Sequence, residues 1–144
     1  MTTSTLAPAS RPLTRMDAGL TVLRAVLGII FIAHGAQKLF VFGLDGVSGA
    51  FGQMGVPFPG VIGPMVALVE FFGGMALLVG LLTRLAGLGL ALTMAGAIMT
   101  VHLKGGFFSP NGFEFPLALA AASAAVALMG AGGFSLDRAL ARRR

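Results

Sequence analysis

Residues 61–82 read VIGPMVALVEFFGGMALLVGLL, an unbroken apolar run in which Glu70 is the sole ionisable residue. A helix rises about 1.5 Å per residue, so a run of this length crosses the roughly 30 Å hydrocarbon core of a bilayer. Threaded that way, the run carries Glu70 to mid-membrane, where a charged side chain costs several kcal/mol unless something compensates it. The chain must therefore fold as a membrane protein, and it must supply a partner for one carboxylate.

Composition agrees. Charged residues make up 10% of the chain and hydrophobic residues 56%, with a mean hydropathy of +0.93. So few charges do not cover a water-soluble surface. The net charge of +5 does not indicate nucleic acid, because the basic residues lie at the chain ends and between apolar runs. With no Cys, the chain itself supplies no thiol relay, disulfide or thiolate metal ligand. Trp and Tyr are also lacking, which leaves Phe to build any interfacial aromatic belt.

Four spans are expected, at about 18–40, 61–82, 85–103 and 113–129. Residues 1–15 are expected to be a disordered cytoplasmic segment, residues 16–133 the membrane domain, and residues 134–144 a basic cytoplasmic tail. Residues 41–60 are rich in Gly and Pro and read as a long loop folded back on the membrane. Pro64 is placed in the first turn of its helix, where its missing N–H does no harm. Arg11, Arg15, Arg84, Arg138, Arg142, Arg143 and Arg144 fall on one side of the four spans, Lys38 and Lys104 on the other. The positive-inside rule then makes both termini cytoplasmic. Antiparallel neighbours give an all-α, integral-membrane four-helix bundle.

Helical spacing puts Arg24, Gly28, Phe31, Gly35 and Lys38 on one face of the first span, with His34 at its edge. Gly63, Ala67, Glu70 and Gly74 share a face of the second; Gly87, Ala91, Ala95, Ile98 and His102 share one of the third. Faces that mix polar and small residues turn toward other helices. The depths of the polar groups suggest a column in which an extended Arg24 reaches up toward Glu70 and His34 reaches down. From this comes an outward-facing pocket around Glu70, lined also by His34, Lys38, His102 and Glu114. Lys38 and Lys104 are read first as snorkelling anchors. No metal site is expected, because the two His and the carboxylates come from different spans without i,i+4 spacing. Phe40, Phe42, Phe51, Phe58, Phe107, Phe108, Phe113 and Phe115 cluster at the outer loops, read first as interfacial anchors and second as an aromatic mouth. A short echo links His34–Lys38 before Phe40 with His102–Lys104 before Phe107, as a two-helix duplication would.

The ordered residues Arg24, Gly28, Phe31, His34, Gly35 and Lys38, then Gly55, Pro57 and Pro59, Glu70, Gly73 and Gly74, Gly80, Thr83 and Arg84, His102, Gly112 and Glu114, Ser135 and Asp137 resemble the DoxX family. The resemblance implies a small four-helix protein of the bacterial inner membrane. Some members of that family are subunits of a thiosulfate:quinone oxidoreductase; others associate with sulfur-transfer or superoxide-detoxifying enzymes, or are linked to quinone and catechol stress. Three functions are expected on this basis. The first is a redox-associated membrane subunit that binds a quinone-like or other small molecule in the outward-facing pocket, with Glu70 and His34 exchanging protons and Arg24, Lys38, His102 and Glu114 binding. The second is a proton-coupled transporter working as a homo-oligomer. The third is a non-catalytic anchor for soluble redox enzymes. The partners implied are the lipid bilayer, a redox enzyme and a second copy of the chain, with no nucleic acid.

Overall fold

The computed structural model describes residues 12–143, so most of the expected disordered segment lies outside the described residues. Every regular element is helical. Helix α1 spans Arg15–Ala36 and continues through a π-helical segment, Gln37–Phe42, into α2, Gly43–Gln53. Helix α3 spans Pro59–Val79 and α4 spans Thr83–Ala97. A second π segment, Ile98–His102, and a 3₁₀ turn, Leu103–Gly105, follow α4. Helix α5 spans Glu114–Met129, and a short α6, Leu136–Ala141, lies in the C-terminal tail.

The chain starts α1 with a capping box. The Thr14 hydroxyl accepts from the Asp17 N–H at 3.3 Å, and the Thr14 N–H donates to the Asp17 carboxylate at 2.9 Å. Helix α3 stops at Gly80, which takes the left-handed conformation that suits a residue without Cβ. Only Leu81 and Leu82 separate Gly80 from the next helix.

Helices α1 and α3 form the tightest pair, running antiparallel. A Cβ on Gly28 would lie 2.8 Å from the Gly74 carbonyl, and one on Gly35 would lie 2.4 Å from the Phe71 N. The two backbones therefore touch where side chains would otherwise hold them apart. Helices α4 and α5 form a second pair by the same device, with Gly87 against the Ser123 carbonyl and the Ala127 backbone. Helix α3 also packs on α4, and α1 on α5. Leu27, Phe31, Leu77, Leu90 and Val126 are almost wholly enclosed between them.

The faces expected for the first two spans are the buried ones. On α4 the buried face is Gly87, Leu90 and Met94, while Ala95 is exposed. The small-residue stripe of that span is thus rotated from its expected place, because α4 packs Leu90 and Met94 into the shared core, while Gly87 meets α5.

Residues 41–60 are not a loop. Glycine recurs at 43, 46, 49, 52 and 55, which propensity alone reads as coil. Val47, buried to 2% exposure, packs against the bare α-carbon of Gly63, and this tertiary contact holds α2 helical on α3. Pro64 lies inside α3 instead of in its first turn, since the helix begins at Pro59.

Among the described residues, three helical stretches are long and apolar enough to cross a membrane: Arg15–Gln53, Pro59–Val79 and Thr83–Gly105. Helix α5 is apolar but has 16 residues, a rise of about 24 Å.

Candidate functional site

The glycine contacts between α1 and α3 decide where the polar groups meet. Lys38 lies one turn beyond Gly35 on the α1 face that touches α3, just inside the π segment. Glu70 lies between Ala67 and Gly74 on the α3 face that touches α1. With the backbones this close, Lys38 Nζ reaches Glu70 Oε2 at 2.5 Å. The Glu70 side chain is 4% exposed and that of Lys38 19%. Two opposite charges so enclosed interact more strongly than a surface pair.

This corrects the expected pairing. Arg24 does not reach Glu70, and Lys38 is not a snorkelling anchor. Arg24 is buried at 1% exposure and points the other way along the bundle. Its guanidinium donates to the Leu77 carbonyl at 3.1 Å and to the Phe134 carbonyl at 2.6 Å. Leu77 belongs to the last turn of α3, whose carbonyls carry partial negative charge and lack helical partners. Gly80 makes room: a Cβ there would lie 2.1 Å from an Arg24 nitrogen. Nearby, the Asp137 carboxylate accepts from the Leu82 N–H at 2.8 Å and the Thr83 N–H at 3.0 Å, and the Asp137 N–H donates to the Gly80 carbonyl at 2.9 Å. The tail expected to be merely basic is therefore fastened to the α3–α4 turn, with Asp137 supplying the N-terminal cap that Leu82 cannot.

Arg24→Met should release this latch. Hydrogen bonds from a charged donor are worth about 1.5–3 kcal/mol each, so a loss of roughly 3 kcal/mol is expected. Amide exchange at Leu82, Thr83 and Asp137 should accelerate while the Lys38–Glu70 region keeps its protection. Unchanged exchange at those three amides would show that Arg24 does not hold the tail.

A cavity of about 630 Å³ opens beside the Lys38–Glu70 pair, between the α1–α3 pair and the α4–α5 pair. This lies within the roughly 300–1,000 Å³ typical of small-molecule sites. His34, Lys38, Glu70 and His102 all line it. The remaining wall is almost entirely apolar, with Phe31, Val69, Met94 and Leu119 among its deeper members. Phe51 of α2, with Met54, Val56 and Pro57 after it, roofs one end.

Two expected members are elsewhere. Arg24 is in the latch, and the Glu114 carboxylate accepts from the Ser109 N–H at 2.7 Å, ordering the loop before α5. Of the eight Phe residues expected around the mouth, Phe51 and Phe115 line the cavity. Phe40 instead packs edge-on against Phe71, and Phe107 against Phe108 and Phe113. No cluster of His and acidic residues that would hold a metal occurs among the described residues.

Sequence reasoning missed the importance of the two π segments. Each ends the first helix of a tightly packed pair and each carries a polar cavity residue, Lys38 in one and His102 in the other. Wide helical turns of this kind are frequent at functional sites. The sequence echo between His34–Lys38 and His102–Lys104 straddles one boundary of each segment, overlapping the first at Gln37 and Lys38 and the second at His102. It was the available signal.

A family model described as DoxX matches residues 19–103. Among curated relatives, a Bacillus subtilis (strain 168) protein named "Putative oxidoreductase CatD" is 37% identical over 121 residues, 84% of this chain and 86% of that one. The inner membrane protein YqjF of Escherichia coli (strain K12) is 34% identical over 131 residues, 88% of this chain and 95% of that one. The membrane protein Rv3486 of Mycobacterium tuberculosis is 33% identical over 133 residues, 84% and 80% of the two chains. No solved structure matches the chain with significance. With its long apolar helices, the chain is a multi-pass inner membrane protein.

Proposed function

Because the chain belongs to the DoxX family, we propose that it is a redox-associated membrane subunit whose cavity binds a quinone-like molecule. The observation that carries this reading is the enclosed Lys38–Glu70 pair set into the wall of a largely apolar cavity beside His34 and His102. A flat ring fills apolar space, and its carbonyl oxygens need donors. The Lys38 ammonium and the two imidazoles supply them. Lys38 holds the Glu70 carboxylate against the cavity wall, and Glu70 with His34 passes protons to and from the ring oxygens as the ring is reduced or oxidised. The electrons travel through a separate redox enzyme, in keeping with the oxidoreductase name of the Bacillus relative.

The same proposal includes topology. Helix α5 makes the fourth crossing, with the bilayer thinning locally to meet its shorter apolar length. Both termini and the α3–α4 turn face the cytoplasm, where the arginines concentrate, and the roofed end of the cavity faces outward.

Binding tests the reading. A soluble benzoquinone added to the purified full chain should raise its melting temperature, and Glu70→Gln should abolish that rise, read as the ligand-induced shift in each protein because taking the carboxylate from the enclosed Lys38 lowers the ligand-free melt as well. The readout is circular dichroism, since the chain has no Trp or Tyr to report by fluorescence. No rise in the unsubstituted protein would end the proposal.

A further inference from the structure

The cavity also has a side opening. Helices α3 and α4 pack closely at their middle, where the α-carbon of Gly73 faces Leu90 and that of Gly89 faces Val69. Beyond that level, away from the turn, both helices line the cavity, α3 with Ile62, Met65 and Val66 and α4 with Leu92 and Gly96, followed by Thr100 of the π segment. Met65 is 52% exposed and Leu92 64%, although both line the cavity. Gly96 is exposed, and a Cβ there would meet nothing within 4 Å. The gap thus runs from the cavity to the outer surface of the helices. That surface is apolar, with Val61, Met65, Leu92 and Met99 exposed on it, whereas α2 and residues 54–58 cover the cavity on its end. The polar groups sit on the far wall, between α1 and α3.

We infer that the ligand enters from the bilayer through the α3–α4 gap and carries a long apolar tail, which stays in the gap while the polar ring rests against Lys38–Glu70. This rests on the reading that the cavity holds a quinone-like ring, and it adds the class of quinone: a membrane-soluble, chain-bearing one, not a free water-soluble ring. A gap lined by Met65, Leu92 and a bare Gly96 suits a flexible hydrocarbon chain, since thioether and leucine side chains repack around irregular apolar shapes. Gly96 keeps the passage open, and the structure gives it no other packing duty.

Gly96→Leu tests this without threatening the fold, because the new side chain enters open space and leucine favours helix more than glycine does. The probes are one benzoquinone ring without a tail and the same ring with a decyl tail. Each is measured by equilibrium binding to the full chain in lipid nanodiscs, as the ratio of wild type to variant, so that partitioning into lipid cancels. Gly96→Leu should weaken the tailed probe about tenfold or more, the equivalent of displacing two or so buried methylenes, and leave the tailless probe within about twofold. If both probes weaken alike, or neither does, the tail path is overturned. Wild type that binds neither probe overturns the quinone reading itself and this inference with it. If Gly96→Leu discriminates as expected but Glu70→Gln binds both probes normally, the tail path stands and the assignment of Glu70 to the ring falls.

Discussion

Lys38→Met should destabilise the folded chain by about 3–5 kcal/mol, the usual effect of stripping one partner from a buried ion pair. The Glu70 carboxylate would then stand against an apolar cavity wall with no cation on it, at a side-chain exposure of 4%. The double variant Lys38→Met with Glu70→Leu should recover most of the loss, because replacing both members removes the uncompensated charge along with the attraction. Neither variant should bind ligand. Circular dichroism melts in mild detergent give the comparison. A double variant no more stable than Lys38→Met alone would mean that the two side chains do not depend on each other.

Gly35→Ala should be nearly as damaging, although it adds one methyl group. The new Cβ would lie 2.4 Å from the Phe71 N and 2.7 Å from its Cα, distances at which no real Cβ survives. Both obstacles are backbone, so no rotamer change relieves them and α1 must move away from α3. Overpacking costs about 1–3 kcal/mol, and the upper end is expected here. The separation should also lengthen the Lys38–Glu70 contact one turn away, so ligand binding should weaken along with stability. Gly19→Ala is the control. It lies on the same helix with nothing within 4 Å, and it should stabilise slightly through helix propensity. A melt for Gly35→Ala equal to that of the control would refute the close α1–α3 packing.

The two variants depend on one arrangement. Small residues bring α1 and α3 together, and that approach makes a lysine and a glutamate from different helices close enough to share their charges. The same economy operates at the other end, where bare Gly80 lets Arg24 lie across the end of α3. Glycine in this chain sets distances between charged groups.

The sequence legibly carried the class of the protein. Sparse charge, long apolar runs and the Glu70 anomaly determine a helical membrane protein, because in hydrocarbon only helices and closed barrels satisfy the backbone, and unbroken apolar runs of about 20 residues are the length of a helix, not of a barrel strand. Periodicity also determined which faces of α1 and α3 point inward, since side-chain direction repeats every 3.6 residues whatever the helix packs on. Four of the six expected site residues, His34, Lys38, Glu70 and His102, line one cavity. What only tertiary structure decided was which cation meets which anion. Arg24 and Lys38 lie on the same face of the same helix, and helix periodicity gives a residue's direction but not the axial offset of the neighbouring helix. That offset comes from the glycine contacts of α1 and α3, and it placed Lys38 on Glu70 and sent Arg24 to the carbonyls of Leu77 and Phe134. Helix α2 was hidden for a related reason: its glycines disfavour helix locally, and the contact of Val47 with Gly63 that offsets them exists only once α3 is in place.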